Sequence, residues 1–268
     1  MAAAETGGAA AGSAALMEVR GLWVRYRRGR RTLEAVKGVD FEVRRGECLG
    51  IVGESGSGKS SLGRAVLGME PEAASGSVLY GGLDVLRMGR AERREFRRKA
   101  QMVFQDPLGS LNPRMKIGAA LGEVLRVHGL ARGREDVARQ VAEWLETVEL
   151  GGEYADRFPH ELSGGQRQRV NLARSLCTGA EFLVADEPVS ALDVSVQARI
   201  LKLLKDLQRQ RGITLLFIGH DLAVMKHMAD RVLVMNHGEI VERGPAAEVL
   251  GNPRHPYTRE LLAAVPRV

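Results

Sequence analysis

Across residues 17–43 apolar and polar positions exchange over short steps, with Val19, Leu22 and Val24 before an Arg/Gly stretch and Val39, Phe41 and Val43 after it. A near-alternating pattern broken by a turn predicts an antiparallel pair of strands, each with one buried face. Residues 48–52 form an unbroken apolar run that enters a Gly/Ser-rich turn, and residues 60–67 resume with helical character. The predicted order is strand, glycine loop, helix. Val137, Val141, Leu145 and Val148 recur at helical spacing, with Gly151 and Gly152 as the expected stop. Residues 182–185 then read as a buried strand, Val196, Ile200, Leu203 and Leu207 as one helix face, and residues 214–218 as a further buried strand. Strands alternating with helices predict an α/β fold on a parallel sheet. No internal repeat is visible, so one such unit is expected.

At 268 residues and 44% hydrophobic content, the chain is long enough to bury a sizeable core. Cys48 and Cys177 lie far apart, without metal-site or disulfide spacing, and are expected to be small apolar core residues in a reducing, cytoplasmic compartment. No apolar stretch reaches the roughly eighteen residues a bilayer span needs, so a membrane role requires partners. Residues 1–16 are rich in Ala and Gly, lack a basic leading segment, and are expected to be a disordered tail. The net charge of +6 is compatible with nucleic acid, an anionic membrane face or a phosphate ligand. Arginines cluster at residues 25–31 and again at 87–99, where Glu92 and Glu95 interleave with them as on an exposed helix. That helix is either a solvated face or a surface near lipid headgroups.

Candidate chemistry sharpens the picture. Gly53-Glu54-Ser55-Gly56-Ser57-Gly58-Lys59-Ser60 satisfies G-x-x-x-x-G-K-[ST] between the expected strand and helix, the context in which that pattern cradles phosphate. Glycines let successive N–H groups face phosphate oxygens, and the helix adds its positive N-terminal end. Lys59 is expected to neutralise the β- and γ-phosphates, and the Ser60 hydroxyl to ligate Mg²⁺. Phe182-Leu183-Val184-Ala185-Asp186-Glu187 is an apolar strand ending in two carboxylates. Beside a phosphate loop, Asp186 is expected to support Mg²⁺ through water and Glu187 to polarise the attacking water.

Leu162-Ser163-Gly164-Gly165-Gln166, followed by a helix expected from about Arg167, resembles the signature of the ABC ATPases. Gln105 in Met102-Val103-Phe104-Gln105-Asp106-Pro107 is similar to that family's Q-loop, Ser190-Ala191-Leu192-Asp193 to its D-loop, and His220 in Ile218-Gly219-His220-Asp221 to its switch histidine. Tyr26 resembles the aromatic that stacks on adenine; Trp23 lies nearby. Gly219 departs from the Thr or Ser more usual before the histidine. The resemblance implies a P-loop NTPase with a RecA-like α/β core, an antiparallel β subdomain and a helical subdomain at about 106–161, all within an ATPase domain spanning 17–245.

It also implies ATP and Mg²⁺ as cofactors. Glu187, His220 and Gln105 are the implied catalytic residues, with Ser60, Gln105 and Asp186 around Mg²⁺. Tyr26, Gly53, Ser55, Gly56, Gly58, Lys59, Ser60, Ser61, Ser163, Gly164, Gly165, Gln166 and Asp193 are the implied nucleotide contacts. A Ser and two Gly at a helix start can hold a γ-phosphate but carry no base, so this half-site needs another phosphate loop. In the family two subunits meet head to tail, each ATP lying between one subunit's 53–61 loop and the other's 163–166 turn.

Residues 252–262, Asn-Pro-Arg-His-Pro-Tyr-Thr-Arg-Glu-Leu-Leu, resemble the C-terminal segment of the oligopeptide, dipeptide and nickel import subfamily, giving an extension at 246–268. Residues 104–115, FQDPLGSLNPRM, resemble that subfamily's Q-loop region. The implied partners are a second ATPase subunit, same or homologous, two transmembrane permease subunits and, indirectly, a solute-binding protein. The implied place is peripheral, at the cytoplasmic face of the cell membrane. Docking is expected just after Gln105, stiffened by Pro107 and Pro113, with Leu108, Leu111 and Met115 as apolar contacts. His237 and His255 have no ligand-spaced partners and are expected to be surface residues. The cargo, a peptide, nickel or a related small solute, touches other subunits and is not legible here. An ABC-type ATPase acting on nucleic acid or ribosomes is the alternative. About a hundred residues between Lys59 and Ser163, without sustained heptads, leave no room for the long coiled coil of the DNA-repair relatives, and no nucleic-acid partner is expected.

Overall fold

A computed structural model describes residues 15–29, 31–105 and 107–264, without the side chains of Arg28, Pro107 and Leu108. In chain order the elements are β1 (Ala15–Arg28), β2 (Arg31–Arg44), β3 (Cys48–Val52), α1 (Lys59–Val66), β4 (Ala74–Tyr80), β5 (Leu83–Asp84), α2 (Arg90–Lys99) and β6 (Ala100–Val103). Then come α3 (Pro107–Ser110), α4 (Ile117–Val127), α5 (Gly133–Thr147), two short 3-10 turns, α6 (Gly164–Leu176), β7 (Phe182–Asp186), α7 (Val194–Arg211) and β8 (Thr214–Gly219). The chain continues through α8 (Leu222–Met228), β9 (Arg231–Asn236), β10 (Glu239–Pro245), α9 (Ala246–Gly251) and α10 (Pro256–Ala263).

These strands make two sheets. The first is antiparallel, in the order β2-β1-β4-β5, and β1 joins β2 through several register shifts. The second has the order β10-β9-β3-β8-β7-β6 and is parallel apart from the antiparallel edge strand β10. β1 begins at Ala15, and Leu16 is 1% exposed, so the ordered sheet takes in the last residues of the segment expected to be a tail; the rest of that segment, 1–14, lies outside the described residues.

The central strands are apolar between Thr214 at the start of β8 and Asp186 at the end of β7 because both faces are covered. Leu49, Ile51, Phe182, Val184, Leu216 and Ile218 point into one core, shared with the antiparallel sheet and α1. Their neighbours Cys48, Val52, Leu183, Ala185, Leu215 and Phe217 point into the other, shared with the helices. The period of two along each strand sorts them. Both cysteines are buried, and burial pushes the Cys177 thiol up to about 12.

Candidate active site

The phosphate loop runs from the end of β3 to the start of α1, whose N-cap is Gly58. Two glycines in it are required by space. A Cβ on Gly53 would sit 2.1 Å from the Met235 carbonyl oxygen, and one on Gly58, at φ 103°, would sit 2.0 Å from that of Ala35. The loop is thus pressed between β9 and β2, which fixes where its N–H groups can point. Lys59 is 5% exposed, and its ammonium donates to the carbonyls of Gly53 at 2.8 Å and Glu54 at 2.7 Å. Burial pulls its pKa down, while the carboxylates of Glu187, Asp186 and Glu54 pull it back up.

β7 delivers the two acids to different tasks. The Ser60 hydroxyl donates to Asp186 at 2.9 Å, and burial raises the Asp186 pKa against that hydrogen bond. Glu187 has φ 45°, the left-handed region that a non-glycine residue enters only when its surroundings hold it there. Its N–H donates to the Ile218 carbonyl at 2.9 Å, and its carbonyl accepts from Ser190. Gln105 Nε2 donates to Glu187 Oε2 at 3.1 Å, and His220 Nδ1 lies 3.3 Å from the same oxygen. Gln105 also donates to the Ser190 hydroxyl. Gln105, Glu187 and His220 follow β6, β7 and β8, three adjacent parallel strands, so they meet at the carboxyl edge of the sheet, where open α/β sheets bind ligands.

A cleft of about 1080 Å³ opens there, lined by Tyr26, loop residues Gly53, Ser55, Gly56, Gly58, Lys59, Ser60 and Ser61, and by Gln105, Glu187 and His220. Tyr26 is held by donating to Glu70, with Ser61 also in contact; burial and Glu70 push its phenol up. Trp23 is engaged elsewhere, 4.2 Å beneath the Arg25 guanidinium, and does not line the cleft.

Residues 163–166 do not line this cleft. Ser163 caps α6, its hydroxyl accepting from the Gln166 N–H while the Gln166 side chain accepts from the Ser163 N–H. Ser163 is exposed, and Gly165 is buried with its missing Cβ against Val196. Asp193 is not in the cleft either; its carboxylate caps α7, accepting from Val196 N–H and the Ser195 hydroxyl, which hold its pKa down.

Leu111 is 5% exposed and packs in the helical core, so it is no docking contact; Leu108 has no described side chain, and Met115 is half-buried. His237 is exposed, as expected, and stands at the wall of the open cleft, while half-buried His255 caps α10 by accepting from the Tyr257 N–H. The C-terminal segment also enters the site. The Tyr257 hydroxyl accepts from the Glu54 N–H of the phosphate loop at 3.0 Å, and Leu261 and Ala264 line the cleft. No local pattern signals a contact between residues 203 positions apart.

Comparison with known proteins agrees with this geometry. Residues 36–190 match the ABC transporter family, and residues 241–268 match the oligopeptide/dipeptide transporter C-terminal region. The oligopeptide transport ATP-binding protein OppF of Bacillus subtilis is 48% identical over 252 residues, covering 94% of this chain and 82% of that protein. OppF of Salmonella typhimurium is 50% identical over 236 residues, covering 88% and 70%. Among solved structures, a dimeric ATP-binding cassette in a post-hydrolysis state bound to ADP and Pi aligns with a TM-score of 0.75 at 29% identity, covering 86% of this chain and 98% of that one. The chain belongs to the ATP-binding subunits of the ABC transporters and is an ATPase.

Proposed function

We propose that this subunit hydrolyses ATP to drive a peptide importer, with Glu187 as the base that takes the proton of the attacking water. The carrying observation is the Glu187 carboxylate, held through one oxygen by Gln105 and His220 and adjacent in sequence to Asp186, which is tied to Ser60. Lys59 swings from its two loop carbonyls to the β- and γ-phosphates, a short motion for a flexible stem, and Tyr26 offers its ring to adenine.

The donor set fits Mg²⁺. Ser60 and buried Asp186 offer hard oxygens 2.9 Å apart, and the amide oxygen of Gln105 adds a third. No group of three or more His, Cys, Asp or Glu among the described residues forms a cage, as suits a cation that keeps its waters and the nucleotide's phosphates. When bound, Mg²⁺ neutralises charge on the β- and γ-phosphates. Residues 163–166 serve a second subunit's nucleotide, with exposed Ser163 at the start of α6 and the N–H groups of Gly164 and Gly165, which the Ser163–Gln166 cap does not use, turned to a γ-phosphate.

The peptide cargo is supported by the names of the relatives and by this chain's match to the oligopeptide/dipeptide transporter C-terminal region. No helix among the described residues is long and apolar enough to cross a membrane. The transporter family and the import relatives support two permease subunits, beneath which this chain sits peripherally at the cytoplasmic face. A solute-binding protein completes the system. Docking falls to the segment around Gln105, where Phe104 is 37% exposed and Met115 half-buried.

Changing Glu187 to Gln tests the chemistry, because an amide holds water but takes no proton. ATP binding is expected to persist while phosphate release falls roughly 10²–10⁴-fold. Near-normal turnover would remove Glu187 from the role.

A further inference from the structure

The peptide unit between Gly53 and Glu54 is gripped at both ends. Its carbonyl accepts from the Lys59 ammonium at 2.8 Å, and its N–H donates to the Tyr257 hydroxyl at 3.0 Å. Because a peptide group is planar, fixing both polar ends fixes the plane, and with it the direction in which the rest of the loop leaves β3. One grip comes from within the loop. The other comes from α10, in a part of the chain with its own family match.

Tyr257 is placed independently of anything in the cleft. The Glu242 carboxylate, on β10, accepts from the N–H groups of Arg254 at 2.8 Å and His255 at 3.1 Å, pinning the turn before α10. His255 Nδ1 then caps the helix by accepting from the Tyr257 N–H at 3.2 Å. The Tyr257 ring is 9% exposed and packs in the helical-side core. The helix goes on to bring Leu261 and Ala264 to the cleft wall.

We infer that α10 is a working part of the nucleotide site, with Tyr257 as a positioning residue that orients the phosphate loop through the Glu54 N–H. The hydroxyl occupies that N–H, which is therefore withheld from phosphate, and leaves the later N–H groups of the loop to face the cleft. Without it the 53–54 peptide is held at its carbonyl end alone. The loop must then be ordered at the expense of nucleotide affinity.

The inference rests on this loop being the ATP site. Tyr257→Phe in the full chain keeps the ring and removes only the hydroxyl. ATP affinity, measured by calorimetry, and steady-state hydrolysis are read together with the thermal midpoint. Positioning predicts ATP binding weaker by about threefold to tenfold, the scale of one hydrogen bond, with KM raised in step and kcat at saturating ATP within about twofold. A lower thermal midpoint with unchanged ATP affinity means that the hydroxyl serves only stability, and overturns the proposal. Unchanged values of both overturn it as well. Failure of the unaltered chain to bind ATP would overturn the assignment of the loop itself, a result distinct from equal binding by the two proteins.

Discussion

Asp186 illustrates how a site can be held ready at a cost to the fold. Its carboxylate is 6% exposed and its pKa is raised, chiefly by burial, so ionisation is less favourable in the folded chain than in the unfolded one. The penalty is present above the folded pKa and fades as pH falls through it toward the ordinary value of 3.8. Asp186→Asn removes the charge while keeping an acceptor for Ser60. It is expected to raise the thermal midpoint of the nucleotide-free chain at neutral pH, by a margin that shrinks on acidification. The same change should lower ATP hydrolysis roughly 10²-fold, the scale of losing one preorganised electrostatic contact to the transferring group. A midpoint at neutral pH that falls would show that the carboxylate, though buried, is net stabilising.

At the scale of elements, the join between α6 and α7 underlies the proposed second half-site. A Cβ on Gly165 would lie 2.4 Å from Val196 Cγ1, a stiff side chain with little room to yield. Gly165→Ala is expected to destabilise the chain by about 1–3 kcal/mol in urea unfolding, as overpacking does. Adding Val196→Ala should restore most of the loss, and additive effects would contradict the contact. Much of this architecture was legible. The strands at 48–52, 182–185 and 214–218 read correctly because burial on both faces leaves them apolar but for Thr214, whose hydroxyl accepts from the Gly46 N–H. Element ends were harder. α6 begins at Gly164 rather than near Arg167, because the mutual cap between Ser163 and Gln166 satisfies N–H groups that glycine propensity alone would leave exposed. α5 ends at Thr147, before the glycine pair, with Glu149 at φ 58° turning the chain. Leu111 looked available to a partner since sequence shows apolarity but not which apolar residues a core takes. The meeting of Gln105, Glu187 and His220 was implied by the family resemblance, whereas the grip of Tyr257 on the loop, between distant segments, had no local sign.

Over the whole molecule, the cleft gathers phosphate loop, acid and histidine on one edge of the sheet, while residues 163–166 stand apart on α6. On the proposed function each chain holds one half of two different sites, and a composite site needs a second subunit in which the halves are exchanged. Two changes separate them. Lys59→Ala disables the phosphate loop and leaves the α6 turn intact; Ser163→Arg blocks the turn and leaves the loop intact. Neither variant alone can form a complete site in a dimer with itself, but a mixture forms dimers in which one of the two sites is whole. The most direct measurement is phosphate release by each variant alone and by an equal mixture. A shared site predicts almost none from either alone and clear recovery on mixing, up to about a quarter of the unaltered rate if pairing is random and sites act independently. Release from the mixture no greater than the mean of the two variants, or near-normal release by Ser163→Arg alone, would contradict it.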